Sequence, residues 1–131
     1  MASRAVLFDF NGTLSDDERI MFEIFQELFA EKGKPLTEQE YFGELVGYSD
    51  FEVVHAWLGE DDPVLLSEKI ARYRERVADG STVTEDAREA VRVAADRASV
   101  AVLGTLPRER LARADAIVKR LDADAVREAL A

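Results

Sequence analysis

Near the N-terminus, the stretch AVLFDFNGTLSDDE (residues 5–18) sets Asp9 directly after four apolar residues and follows it with Asn11, Gly12 and Thr13. An aspartate at the end of an apolar strand has two chemistries open to it. It can act as a nucleophile that forms an acyl-phosphate, or as a hard oxygen ligand for Mg2+. Both need a tight turn around the carboxylate. Gly12 supplies one, because it tolerates unusual backbone angles and lets a ligand come close, and neighbouring N–H groups in such a turn can cradle an anion. Thr13 can hold the turn by bonding to the backbone, and a divalent cation would offset the repulsion between carboxylate and phosphate. The same residues also read as a plain turn, since Asp, Asn and Gly are turn formers and Asn-Gly is a common turn pair.

The elements that must position Asp9 follow from the apolar pattern. Val6-Leu7-Phe8 reads as a buried strand of the parallel kind, covered on both faces, which puts Asp9 at its C-terminal end. In open α/β sheets that is where ligands bind. The segment RIMFEIFQELFAEKG predicts a helix stopped by Gly33 and Pro35, with Phe22, Phe25 and Phe29 as core. Capping boxes at Thr37–Glu40 and Ser49–Glu52 open two short helices, the first ended by Gly47 and the second by Gly59. Asp62-Pro63 begins a fourth, with Leu66, Ile70, Tyr73 and Val77 at helical spacing up to Gly80. A further helix starts near Thr84 and leads into a second valine-rich strand, SVAVLGT, parallel to the first. The tail from Pro107 is helical by composition. The fold class is therefore α/β: a partial core of parallel strands from 1–15 and 80–131, with an all-helical insertion at 16–79.

Composition narrows the partners. The chain has 131 residues, no cysteine and one histidine, which excludes disulfides, thiolate metal sites and a His-rich metal site. Its net charge of −10 opposes nucleic acid and anionic lipid; residues 108–131 carry +1 of it, leaving −11 on residues 1–107. No apolar run approaches the roughly 18 residues that span a bilayer, and the N-terminal apolar stretch is short for a signal peptide. A soluble, cytoplasmic protein without a nucleic-acid or membrane partner is expected.

VLFDFNGTL resembles the first motif of the haloacid dehalogenase superfamily, in which an apolar strand runs into Asp-x-Asp-Gly-Thr and a further apolar residue. The surroundings are similar too. Members with a helical cap carry a block of four or five helices next, containing a Leu-x-Gly-x-Ser stretch like Leu45-Val46-Gly47-Tyr48-Ser49, and then a helix and a second core strand. The resemblance covers residues 4 to about 110 and implies a Rossmannoid core. It implies an Mg2+-dependent phosphatase of a small phosphorylated metabolite, with Asp9 as the nucleophile. Mg2+ would be held by the Asp9 side chain and the Asn11 carbonyl, and the phosphate by N–H groups from Phe10, Asn11 and Gly12. Thr105 is the candidate for the second motif's hydroxyl, one place later than strict alignment gives; as a structural residue it would cap the helix before which Pro107 stands.

Three departures qualify what the resemblance implies. Asn11 stands where family phosphatases carry an aspartate that protonates the leaving group and activates water. Asp50 stands where β-phosphoglucomutase-like relatives often carry an arginine. The family's lysine and paired-acid motifs, expected after residue 110, have no counterpart: Lys119 lacks a following proline, and Asp122 and Asp124 follow no strand. The chain thus reads as a hydrolase shortened after its second strand, with an unpaired sheet edge open to self-association. The alternative is a non-catalytic remnant or interaction module. His55 and Trp57 read as ordinary helix residues, Arg108 as part of a solvated helix face.

Overall fold

A computed structural model of the chain describes residues 4–103 and 122–131. They form two compact units, one of residues 4–16 with 82–103 and 122–131, and one of residues 17–81.

The first unit is built on a parallel pair of strands, β1 (Ala5–Asp9) and β2 (Ser99–Leu103), in register from Ala5 opposite Ser99 to Asp9 opposite Leu103. Among the described residues two helices join it, α5 (Glu85–Arg97) and α6 (Ala123–Leu130), packed against each other. Thr84 caps α5 by accepting the N–H of Ala87, and Asp122 caps α6 by accepting that of Ala125. The core of this unit is Phe8, Leu14, Ala87, Ala90, Val93, Ala94 and Val126. Alanines on α5 let the helix lie close to the strand, and the side chain of Arg4 bonds to the carbonyl of Leu130, tying α6 to the start of β1. The chain is thus α/β, a partial Rossmann-type core with two parallel strands among the described residues.

One expectation fails here. β1 was read as covered on both faces, but Phe8 is buried whereas Leu7 is 57% exposed. The reason is layer count: the buried cluster takes in Val6, Phe8 and Val100 with α5 and α6, all on one face of the sheet. Alternation along the strand turns Leu7 to the other face.

The second unit is all helical: α1 (Glu18–Glu31), α2 (Glu38–Glu40) running into a π-helical turn (Tyr41–Leu45), α3 (Asp50–Leu58) and α4 (Pro63–Arg76). The start and stop signals act as written. Both capping boxes close, with Glu40 bonding back to Thr37 and Glu52 to Ser49. At the end of α1, the Lys34 N–H bonds Phe29 O and the Gly33 N–H bonds Ala30 O, with Gly33 at φ +74°; this is the Schellman pattern, and it needs the left-handed residue glycine provides. Its core joins Phe22, Ile24, Phe25, Leu28 and Phe29 to Leu36, Tyr41, Leu45, Val53, Val54 and Leu65. Trp57 packs beside it, its indole N–H donating to Lys34 O at 2.8 Å. Arg72 and Arg76 of α4 reach Glu27 and Glu31 of α1, clamping the two helices on their outer side.

Two details depart from the periodicity. The helix opened by Thr37 does not stay α: the Val46 N–H reaches back five residues to Tyr41 O, 2.9 Å away. Gly43, a poor helix former, lies inside this wider turn, and Tyr41 and Leu45 on either side of it are both buried. On α4 the apolar stripe is rotated by one residue. Ile70, which the pattern assigns to the core, is 42% exposed, and its neighbour Lys69 is buried instead. Its Nζ pairs with Asp50 Oδ2 at 2.7 Å and stands 5.5 and 5.1 Å from the ring centres of Phe25 and Tyr73. A carboxylate and two aromatic faces meet the ammonium, so its charge is tolerated in the interior. No helix among the described residues is long and apolar enough to cross a membrane.

Candidate active site at the end of the first strand

Asp9 closes β1 at its C-terminal end, half-buried, and the chain turns immediately. Three main-chain bonds shape the turn: Gly12 N–H to Ser15 O at 2.8 Å, Thr13 N–H to Phe10 O at 3.2 Å, and Ser15 N–H to Phe10 O at 2.9 Å. Gly12 sits at φ +74°, left-handed backbone that a Cβ would strain. The turn is anchored from the far side by the start of α5's approach: Ser15 Oγ donates to Thr82 Oγ1 at 2.8 Å, both residues buried, and Asp16 N–H donates to Thr82 O at 2.7 Å. Ser15 also bridges to Asn11 and Val83. These contacts hold the Asp9-to-Gly12 loop from beneath, a role for Ser15 and Thr82 that no motif in the sequence signals.

The arrangement sorts the expected site residues. Asp9, Phe10, Asn11 and Gly12 lie together in one turn. The Gly12 N–H donates to Ser15 O within that turn, so it could reach a phosphate only by sharing its proton. Asp16 is exposed. Asp17 is fully buried in the helical unit, where the Tyr73 hydroxyl donates to its Oδ2 at 2.5 Å. Thr105, Arg108 and Lys119 lie outside the described residues. Asp122 is a helix cap and Asp124 pairs with Arg127 at 2.9 Å, so both have structural work.

Elsewhere, His55 is exposed and pairs with Asp61 at 2.9 Å, with Phe51 stacked beside it. Asp50 is taken up by Lys69. Tyr41, buried and facing Glu18 through a 3.3 Å hydrogen bond, has its hydroxyl pushed far above the ordinary phenol range, first by burial and then by that carboxylate's charge.

Among the described residues no three His, Cys, Asp or Glu side chains gather as a metal cluster. What the turn does offer is one carboxylate and the main-chain oxygen of Asn11. Mg2+ takes oxygen ligands, keeps several waters, and is commonly bound through one or two carboxylates together with phosphate oxygens. The turn fits a cation held jointly with a phosphorylated ligand, and does not fit a cage made of protein alone.

A family model described as haloacid dehalogenase-like hydrolase matches residues 6–113. No curated protein and no solved structure matches the chain.

Proposed function

The chain belongs to the haloacid dehalogenase-like hydrolases, and from that premise we propose that it is a phosphohydrolase working through Asp9. The observation that carries this reading is the placing of Asp9 at the C-terminal end of β1 beside a left-handed Gly12 turn, inside the stretch that matches the family. A carboxylate in that place can attack the phosphorus of a small phosphorylated metabolite and take the phosphoryl group as an aspartyl-phosphate. The amides of Phe10, Asn11 and Gly12 orient the phosphoryl oxygens, Ser15 and Thr82 fix the turn, and Thr105 is the proposed second-strand hydroxyl. Asp9 and the Asn11 carbonyl would hold Mg2+, which supplies charge neutralisation at the phosphate. A chain without cysteine suits the reducing cytoplasm, the location we propose. Residues 17–81 are proposed as the cap of this enzyme.

The test is phosphate release from a panel of small phosphorylated metabolites with and without Mg2+. Asp9→Asn should remove the activity; activity that survives it excludes Asp9 as nucleophile. Independently, Mg2+ with beryllofluoride should raise the melting temperature of the wild-type chain by mass action, and Asp9→Asn should erase that rise.

A second reading is favoured by one observation, the exposure of Leu7 and its cross-strand partner Ala101 on one face of a sheet of two strands among the described residues. It takes the chain as an interaction module that pairs with a second copy through this sheet. Such a module gains nothing from Mg2+ and beryllofluoride, which separates the two readings.

A further inference from the structure

The amide at position 11 bears on which phosphoryl donors the site can use. We infer that Asp9 takes phosphoryl groups from donors whose leaving group departs without a proton, acyl phosphates above all, and then holds the group as a long-lived aspartyl-phosphate. This rests on the proposed role of Asp9 and deepens it.

The two steps of phosphomonoester hydrolysis each move a proton. An alkoxide leaving group is about as basic as hydroxide and must be protonated as it departs, and the water that opens the aspartyl-phosphate must lose a proton as it attacks. Asn11, two residues from Asp9 in the same turn, can do neither, since a carboxamide gives hydrogen bonds without changing its protonation near neutral pH. Among the described residues of the first unit, several other carboxylates already have partners of their own. Glu85 and Glu89 are paired with Arg92 on α5, Asp124 with Arg127 on α6, and Asp122 caps α6. His55 belongs to the helical unit and pairs with Asp61. Asp17 accepts from Tyr73 inside that same unit. Asp16 is the remaining carboxylate of the turn; it is exposed, and its backbone is fixed by Thr82.

An acyl phosphate removes the first difficulty. A lone pair of the Asp9 carboxylate forms the new O–P bond as the P–O bond to the donor's carboxylate breaks. The electron pair leaves on that carboxylate, a group with a pKa of about 4 that is stable as the anion. Donor and Asp9 together carry three negative charges, and so do the released carboxylate and the aspartyl-phosphate, so no proton is needed. The second difficulty remains, and the product accumulates on the protein.

The full chain is incubated in Mg2+ with acetyl phosphate or with glycerol 3-phosphate, and the intact mass is followed with time. The expected result is a gain of one phosphoryl group from acetyl phosphate that hydroxylamine removes, and none from the alkyl ester. Asn11→Asp should accept both donors and lose the phosphoryl group about 10²–10⁴-fold faster, while Asp16→Asn should match the wild type. Equal labelling of the wild type by both donors would overturn the inference and leave Asp9 as nucleophile intact. So would wild-type turnover as fast as that of Asn11→Asp, or labelling confined to Asn11→Asp. Labelling that persists in Asp9→Asn, or none in any variant, would overturn the role of Asp9 itself. The wild-type comparison of donors stands even where a variant fails to fold.

Discussion

At the scale of single residues, the chain shows two acid-bearing settings that differ in what surrounds them. Asp9 opens a turn held by main-chain hydrogen bonds. Asp50 faces a buried ammonium, Lys69, whose side chain is 5% exposed. Removing one member of such a pair leaves the other without compensation, and the two removals are unequal. Asp50→Ala strands the Lys69 charge against Phe25 and Tyr73 and should cost about 2–3 kcal/mol, toward the low end for a buried pair because Asp50 itself is partly exposed. Lys69→Met keeps the volume and relieves the charge; with Asp50 able to turn to water, it should cost under about 1 kcal/mol. Urea unfolding of both variants checks the order, and a Lys69→Met variant as unstable as Asp50→Ala would show that the pair holds the unit together rather than being merely tolerated there. Sequence periodicity could not find the buried Lys69 for a physical reason: a stripe is drawn from apolar residues, and the Phe25 face and the Asp50 carboxylate that help accommodate this cation come from other helices.

At the scale of elements, the sequence was most legible where a backbone group had one nearby partner to find. Thr37, Ser49, Asp62 and Thr84 each cap the helix they were expected to open, and Gly33 and Gly59 stop theirs in left-handed conformations. Such signals are local, so no tertiary contact is needed to decide them. Ser49→Ala breaks one capping box by removing the acceptor of the Glu52 N–H and should destabilise the helical unit by about 1 kcal/mol. A drop of several °C in the melting temperature is the expected readout, partly restored by Ser49→Asp, which also complements the dipole of α3. The π-helical turn after α2 was not legible, because whether a turn contains four or five residues depends on how Tyr41 and Leu45 meet the core. The Ser15–Thr82 bond escaped for the same reason, since 67 residues separate its partners.

At the scale of the whole molecule, the order strand, helical block, helix, strand was readable from pattern alone, and the family match covers that same order. The number of layers on the sheet was not readable. A run of Val, Leu and Phe looks alike whether one face or both are covered, and here Leu7 and Phe8 meet opposite fates. The open face gives the self-association reading its test. Sedimentation over a wide concentration range should show a reversible dimer if that reading holds, and Leu7→Lys, which sets a charge on the face, should weaken it at least tenfold. A chain that stays monomeric throughout removes the reading.

The hydrogen bond between Asp16 and Thr82 has a consequence of another kind. It places the point where the chain leaves the strand unit beside the point where it returns, so the intervening helices form an excursion with fixed, adjacent ends. Closing such an excursion costs entropy that grows only with the logarithm of its length, about 0.6 kcal/mol for each doubling. The strand unit is therefore nearly indifferent to the size of what it carries there. Helices can be added, removed or exchanged for another block at that doorway, and Asp9, two turns of chain away, keeps its place.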